Sequence, residues 1–210
     1  MIKAIIFDLD GVIVSTDGLH YLAWKYVADQ EHIYFDESIN NRLRGVSRME
    51  SLDIILERSN REYSELEKIN LARQKNDYYV DLLSSLSPVN ILDGVHEVIT
   101  LIKRKGIPAA IGSSSKNAKR ILSQIGLLDA FDVIVDGNDI SRSKPDPEVF
   151  LLAAKRLNID PKHCLVVEDA IAGIQAAVTA GMMTFAVGDA QRSAQATYRG
   201  EAVSDIITLF

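Results

Sequence analysis

The chain has 210 residues, 47% hydrophobic and 25% charged, which is enough to bury a sizeable core in about one or two domains. Twenty-nine acidic residues against 23 basic ones leave a formal charge of −6, which argues against nucleic-acid backbone binding. The one cysteine, Cys164, excludes an intrachain disulfide and a cysteine zinc cluster.

The first apolar run, Ala4-Ile5-Ile6-Phe7, stops at Asp8. It is too short for a helix and reads as a strand buried on both faces, as in a parallel sheet. Acids break the run MIKAIIFDLDG, so neither a signal peptide nor a membrane span is expected, and a reducing cytoplasm is the default location. Residues 14–88 read as helical. Leu19, Leu22, Ala23, Tyr26 and Val27 share a helical spacing, as do Met49, Leu52, Ile55 and Leu56. A long amphipathic stretch from about Tyr63 to Leu86 is closed by Pro88.

From Gly94 the pattern alternates. Helices are expected near Val95–Lys105, Asn117–Ile125, Pro147–Leu157 and Ala170–Ala180, between strands Ile107–Ile111, Phe131–Val135, Cys164–Val167 and Thr184–Val187. Strand, helix, strand, helix predicts an α/β fold, a doubly wound parallel sheet. The expected organisation is a discontinuous core (1–13 and 89–210) with a helical cap (14–88) inserted after the first strand.

Such sheets carry their chemistry in loops beyond the carboxyl ends of the strands. Those ends hold Asp8 and Asp10, then Ser113-Ser114-Ser115, Lys144-Pro145 and Glu168-Asp169. Asp8 and Asp10, two residues apart, point to one side of an extended segment and repel unless a cation lies between them. With Glu168 and Asp169 they make an all-oxygen set suited to Mg²⁺, whereas the scattered histidines suit no zinc site. The competing reading is that these acids cap helices, and Asp169 before Ala170 is well placed to do so. With Mg²⁺, an aspartate can attack phosphorus, a serine can bind a phosphoryl oxygen, Lys144 can supply charge and Asp10 can move a proton.

Asp8-Leu9-Asp10-Gly11-Val12, Ser113, Lys144-Pro145 and Glu168-Asp169 resemble, in order and spacing, the four motifs of the haloacid dehalogenase superfamily. Further stretches (His20, Ala23-Trp24-Lys25, Gly45-Val46-Ser47-Arg48, Ser51-Leu52, Lys75-Asn76-Asp77 and Ser115-Lys116-Asn117) resemble its hexose-phosphate mutase branch. The resemblance implies interconversion of β-D-glucose 1-phosphate and glucose 6-phosphate through an aspartyl phosphate and β-glucose 1,6-bisphosphate. It implies Asp8 as nucleophile, Asp10 as acid/base, and Ser113 and Lys144 as phosphoryl-binding groups. Mg²⁺ would be held by Asp8, the Asp10 carbonyl, Glu168 and Asp169, and Arg48 would clamp the phosphate that does not react. The substrate contacts it implies are His20, Trp24, Gly45, Val46, Ser47, Arg48, Ser51, Lys75, Ser114, Ser115, Lys116 and Asn117. Partners are small sugar phosphates, with no nucleic acid or membrane, and a monomer is expected. A phosphatase of small phosphorylated sugars is the alternative.

The resemblance has departures: Val14-Ser15-Thr16 lacks the acid many relatives carry there, and Ser114 adds a hydroxyl. Bland roles compete at several positions. His20 can be a surface residue, Trp24 core packing and Lys75 a solvated charge. His32, His96 and His163 read as structural or surface residues, Cys164 as a small buried hydrophobe, and Tyr78-Tyr79 as packing. An X–Pro bond alone adopts cis at modest cost, and Lys144-Pro145 is expected to do so.

Overall fold

The computed structural model describes residues 1–43 and 46–210. Six parallel strands form one sheet: β1 (Ala4–Phe7), β2 (Ala109–Gly112), β3 (Val133–Val135), β4 (Cys164–Glu168), β5 (Met183–Ala186) and β6 (Tyr198–Arg199), in the order β3-β2-β1-β4-β5-β6. Eight α-helices accompany them among the described residues: α1 (Asp17–Gln30), α2 (Glu37–Asn41), α3 (Arg48–Leu56), α4 (Glu65–Leu82), α5 (Val95–Arg104), α6 (Ala118–Gln124), α7 (Glu148–Leu157) and α8 (Ile171–Thr179). Strand β6, two residues long and exposed, carries no apolar run and left no mark in the sequence pattern.

The chain forms two compact units, residues 1–15 with 87–210, and residues 16–86. In the first, β1 pairs with β2 through Ile5↔Ala109 and with β4 through Ile5↔Leu165. All four β1 side chains are fully buried, which explains a strand that is apolar throughout instead of alternating. Ile6 joins Ala110, Val166, Phe150 and Ala153 in one cluster, while Phe7, on the opposite face, meets Phe131 edge-on at 6.0 Å between ring centres. Burying each such Ile or Phe contributes about 1.5–3 kcal/mol.

The sheet order reverses direction at β1: the chain runs outward through β2 and β3 on one side, then β4, β5 and β6 on the other. The carboxyl ends of β1 and β4 therefore lie side by side at the switch point, where such sheets open a crevice.

The second unit is helical. Trp24, Val27, Ala28, Phe35, Ile39, Leu52, Ile55 and Leu71 form its core. The α1 spacing resolves into two faces, with Ala23 and Val27 buried and Leu22 and Tyr26 exposed. Of the tyrosine pair, Tyr79 is buried, but Tyr78 lies at the surface stacked on Tyr26 at 4.4 Å. Neighbouring residues on a helix point about 100° apart, so both could not enter the core. Capping boxes start α3 (Ser47 with Glu50) and α4 (Ser64 with Glu67), and α4 ends at Leu82, four residues short of the expected end. Among the described residues no helix is long and apolar enough to cross a membrane.

Candidate active site

Strand β1 delivers Asp8 to the rim by ending there, with the Asp8 amide donating to the Val167 carbonyl of β4 at 2.9 Å. The chain then turns sharply. The Leu9 carbonyl accepts from Ile13 N at 2.9 Å and Val14 N at 3.1 Å, and Gly11 takes a φ of +78° that side chains rarely adopt. A Cβ on Gly11 would also overlap the Asp169 carboxylate. Glycine is required there on both counts.

The carboxylates of Asp8, Glu168 and Asp169 bring one oxygen each within 4.8 Å of one another. Into this cluster comes Lys144, which is buried and is joined to Pro145 by a cis peptide bond, as expected. Its Nζ donates to Asp8 Oδ1 and to Glu168 Oε1, each at 2.6 Å, and lies 4.7 Å from the centre of the Phe150 ring. Burial opposes the ammonium charge, yet Asp8 and Glu168 outweigh it and hold Lys144 above the usual lysine range. Burial, and then the negative charge of Asp8, drives the Glu168 carboxyl upward against Lys144. Asp169 is pushed up to about 8 by burial and by Glu168, Asp8 and Asp10.

Three carboxyl groups share one ammonium in a largely buried place, and burial with mutual repulsion resists their full ionisation unless a further cation joins them. All donors are oxygen, so the set fits a hard divalent cation such as Mg²⁺. The Asp10 carboxylate is not part of this cluster; Asp10 enters the expected ligand set through its carbonyl.

Helix capping accounts for neither Asp8 nor Asp169. The first amide of the α8 turn, Ala170 N, donates to Glu168 Oε2 at 2.9 Å, and Asp169 caps nothing there. Glu168 thus divides its oxygens between Lys144 and the helix start. Its close neighbour is Gly173 of α8, where a Cβ would overlap the Glu168 carboxylate. Alanine in a helix is worth about 1 kcal/mol over glycine. Displacing a buried, doubly bonded carboxylate costs about 1–3 kcal/mol by overpacking and about 1–3 more for the disturbed charged hydrogen bonds. The cost wins, and Gly173→Ala is expected to lower the unfolding free energy by about 1–5 kcal/mol in urea titration.

After β2, Ser113 is buried and its hydroxyl accepts from Ser115 N at 3.1 Å, while the Ser115 hydroxyl accepts from Asn117 N at 3.2 Å. Both hydroxyls spend acceptor capacity on the loop and keep an O–H to donate. The Ser114 hydroxyl is buried with no hydrogen-bond partner. Lys116 is exposed, and Asn117 opens α6. Gly137 packs so close that a Cβ there would overlap the Ser114 carbonyl, and its amide donates to the Ser115 carbonyl at 3.0 Å. Asn138 Nδ2 adds a bond to the Lys116 carbonyl at 2.9 Å. Neither Gly137 nor Asn138 carries a motif signal, because their contribution lies in backbone approach.

The helical unit holds a second polar group. Lys75 is only 3% exposed, which overturns its reading as a solvated charge. Its Nζ lies 2.8 Å from His20 Nδ1, 4.9 Å from the Trp24 ring centre and 4.5 Å from that of Tyr79. The His20 ring rests on Tyr79 at 4.2 Å, and Tyr79 Oη donates to Thr16 Oγ1 at 3.0 Å. Burial, then the charges of Lys75 and Arg48, lower the His20 pKa well below the ordinary histidine value. His20 therefore stands neutral, with Nδ1 accepting from the lysine. Trp24, buried beneath Lys75, belongs to the core of this unit. Ser51 is likewise buried, whereas Val46 is exposed. Arg48 Nη2 donates to Asn76 Oδ1 at 2.8 Å. Gly45 lies outside the described residues. Cys164 is a buried free thiol, raised to about 11 chiefly by burial.

Two buried lysines, one among carboxylates and one on a histidine, are a costly arrangement for stability alone. Comparison with known proteins agrees with the chemistry. The haloacid dehalogenase-like hydrolase profile matches residues 2–181. The chain is 44% identical over 191 residues to β-phosphoglucomutase of Bacillus subtilis, covering 90% of this chain and 84% of that protein. It is 33% identical over 183 residues to a phosphorylated carbohydrates phosphatase of Thermotoga maritima, covering 86% and 82%. The crystal structure of β-phosphoglucomutase from Clostridium difficile superposes with a TM-score of 0.91 at 41% identity, covering 98% and 93%. That profile spans most of the sequence, and the chain belongs to the haloacid dehalogenase-like hydrolase family.

Proposed function

We propose that this protein is a Mg²⁺-dependent β-phosphoglucomutase, interconverting β-D-glucose 1-phosphate and glucose 6-phosphate. The observation that carries the chemistry is the Lys144 ammonium, 2.6 Å from both Asp8 and Glu168 at the end of the central strand. The sugar-phosphate mutase reading is supported by the 44% identity to the Bacillus subtilis enzyme.

In the working cycle Asp8 carries a phosphoryl group. Asp10 takes the proton from the 6-hydroxyl of β-glucose 1-phosphate as that oxygen bonds to phosphorus and the aspartyl P–O bond breaks. The product is β-glucose 1,6-bisphosphate, and Asp8 is again a free carboxylate. The bisphosphate then turns end for end. Asp8 attacks the phosphorus at position 1, the bond to the anomeric oxygen breaks, and Asp10 returns its proton to that oxygen. Glucose 6-phosphate leaves, and the phosphoenzyme is restored.

Lys144 and the Ser113 hydroxyl bind equatorial phosphoryl oxygens, and Arg48 takes the phosphate that does not react. Asp8, the Asp10 carbonyl, Glu168 and Asp169 would hold Mg²⁺, which supplies the charge that lets a carboxylate approach an anionic phosphate. The partners under this reading are small sugar phosphates, met by a monomer in the cytoplasm.

The test is ³¹P NMR of β-glucose 1-phosphate with enzyme, Mg²⁺ and a trace of β-glucose 1,6-bisphosphate. Glucose 6-phosphate should accumulate with little inorganic phosphate. Chelation should stop the reaction and Mg²⁺ should restore it. Release of inorganic phosphate alone would make the protein a phosphatase of phosphorylated sugars, and full activity in metal-free buffer would remove the metal from the mechanism.

A further inference from the structure

An arginine that must grip first one phosphate of a bisphosphate and then the other needs a fixed guanidinium plane, because bidentate recognition depends on the angle of the fork. Arg48 begins from a fixed base. It is the first residue of α3, directly after Ser47, whose hydroxyl accepts from Glu50 N at 3.3 Å while Ser47 N donates to Glu50 Oε2 at 2.9 Å. This box sets where the helix starts and so where the Arg48 Cα stands. It does not set the end of a side chain with several rotatable bonds.

That end is held from α4. Arg48 Nη2 donates to Asn76 Oδ1 at 2.8 Å, across 28 residues of sequence, and both side chains are half-buried. Asp77, the next residue, adds a favourable charge interaction at longer range. Asn76 follows Lys75 on the helix, so the same turn of α4 places Lys75 on His20 and Asn76 on Arg48.

We propose that Asn76 is a positioning residue for the mutase reaction. By accepting from one Nη it locks the rotation of the Arg48 guanidinium and leaves the other N–H donors for the distal phosphate. The inference rests on the function proposed above. The chemistry of the acceptor matters: an amide oxygen holds the fork without consuming its charge, while a carboxylate in the same place would neutralise the cation that the phosphate needs.

The test has two readouts. The first is NMR of the Arg48 guanidinium in the free protein, where hindered rotation reports the hold directly. Asn76→Ala should free the rotation, and Asn76→Asp, which keeps an acceptor, should preserve it. The second is mutase kinetics in a double-mutant cycle with Arg48→Ala. Asn76→Ala should raise KM for β-glucose 1-phosphate roughly 10-fold, as expected when a charge-assisted contact is misaligned, with a smaller change in kcat. In the Arg48→Ala background it should add less than about 2-fold, because the two residues act as one unit. Asn76→Asp should keep the rotation locked and still raise KM, separating geometry from charge.

The proposal is overturned if the guanidinium stays locked in Asn76→Ala, or if the two losses multiply in the cycle. If the wild-type protein does not isomerise the substrate, the mutase reading falls. The rotation measurement, with a cycle run on β-glucose 1,6-bisphosphate binding, then decides the Asn76 hold independently.

Discussion

Replacing Asp8 by asparagine should abolish turnover, by at least about 10⁴-fold in kcat, because an amide oxygen is too weak a nucleophile to take phosphorus. The fold should survive. Breaking a buried ion pair ordinarily costs about 3–5 kcal/mol, since it strands a charge. Lys144 is not stranded here, because Glu168 Oε1 remains 2.6 Å from its Nζ. The substitution also removes one of three crowded carboxylates, which relieves part of the repulsion that, after burial, pushes Asp169 up to about 8. Without metal, Asp8→Asn should therefore unfold at a urea concentration no lower than the wild type. Phosphoenzyme formation, read by ³¹P NMR or intact mass, should vanish together with activity. Residual turnover within about 100-fold of wild type would defeat the phosphoaspartyl mechanism.

The second large effect is expected at Arg48. A mutase must accept either end of the bisphosphate at its distal position, so losing the cation there removes a charge-assisted bidentate contact. That contact is worth about 2–4 kcal/mol of transition-state stabilisation, or roughly 30- to 1,000-fold in kcat/KM for Arg48→Ala. Hydrolysis of acetyl phosphate, which has no second phosphate, should fall far less. The comparison is informative because Arg48 is half-buried and bonded to Asn76, and it lies outside the helical core of Trp24, Leu52, Ile55 and Leu71. Equal losses in both activities would show that Arg48 supports the fold or the reacting phosphate.

Much of the core was legible from periodicity. Ala4–Phe7 and Cys164–Val167 are unbroken apolar runs because both faces of each strand are covered, and length separated them from helices. Glycines after the expected helices marked their ends, and the strand ends exposed Asp8, Ser113 and Glu168 as one rim. Strand β6 escaped notice because two exposed residues have no burial pattern to display. The first helix was read as one apolar face, yet Leu22 and Tyr26 remain exposed beside buried Ala23 and Val27; helical spacing marks a stripe without saying how wide the covering surface is.

Local pattern dictates the set of chemical groups and their order along one rim, since a strand that ends in an acid must present it there and the alternation of elements leads to a parallel sheet. How those groups are spent depends on contacts between distant parts of the chain. Lys144 lies 136 residues from Asp8 and 24 from Glu168 in the chain, and only the adjacency of β1 and β4 lets one ammonium bridge them. Lys75 is a solvated charge by its spacing and a buried cation by its surroundings, where Trp24, Tyr79 and His20 close around it. The hold of Asn76 on Arg48 joins two helices whose pairing no local pattern specifies. Propensity and periodicity act within a few residues, whereas electrostatic pairing acts through space at 3–5 Å, and folding alone brings distant residues within that range.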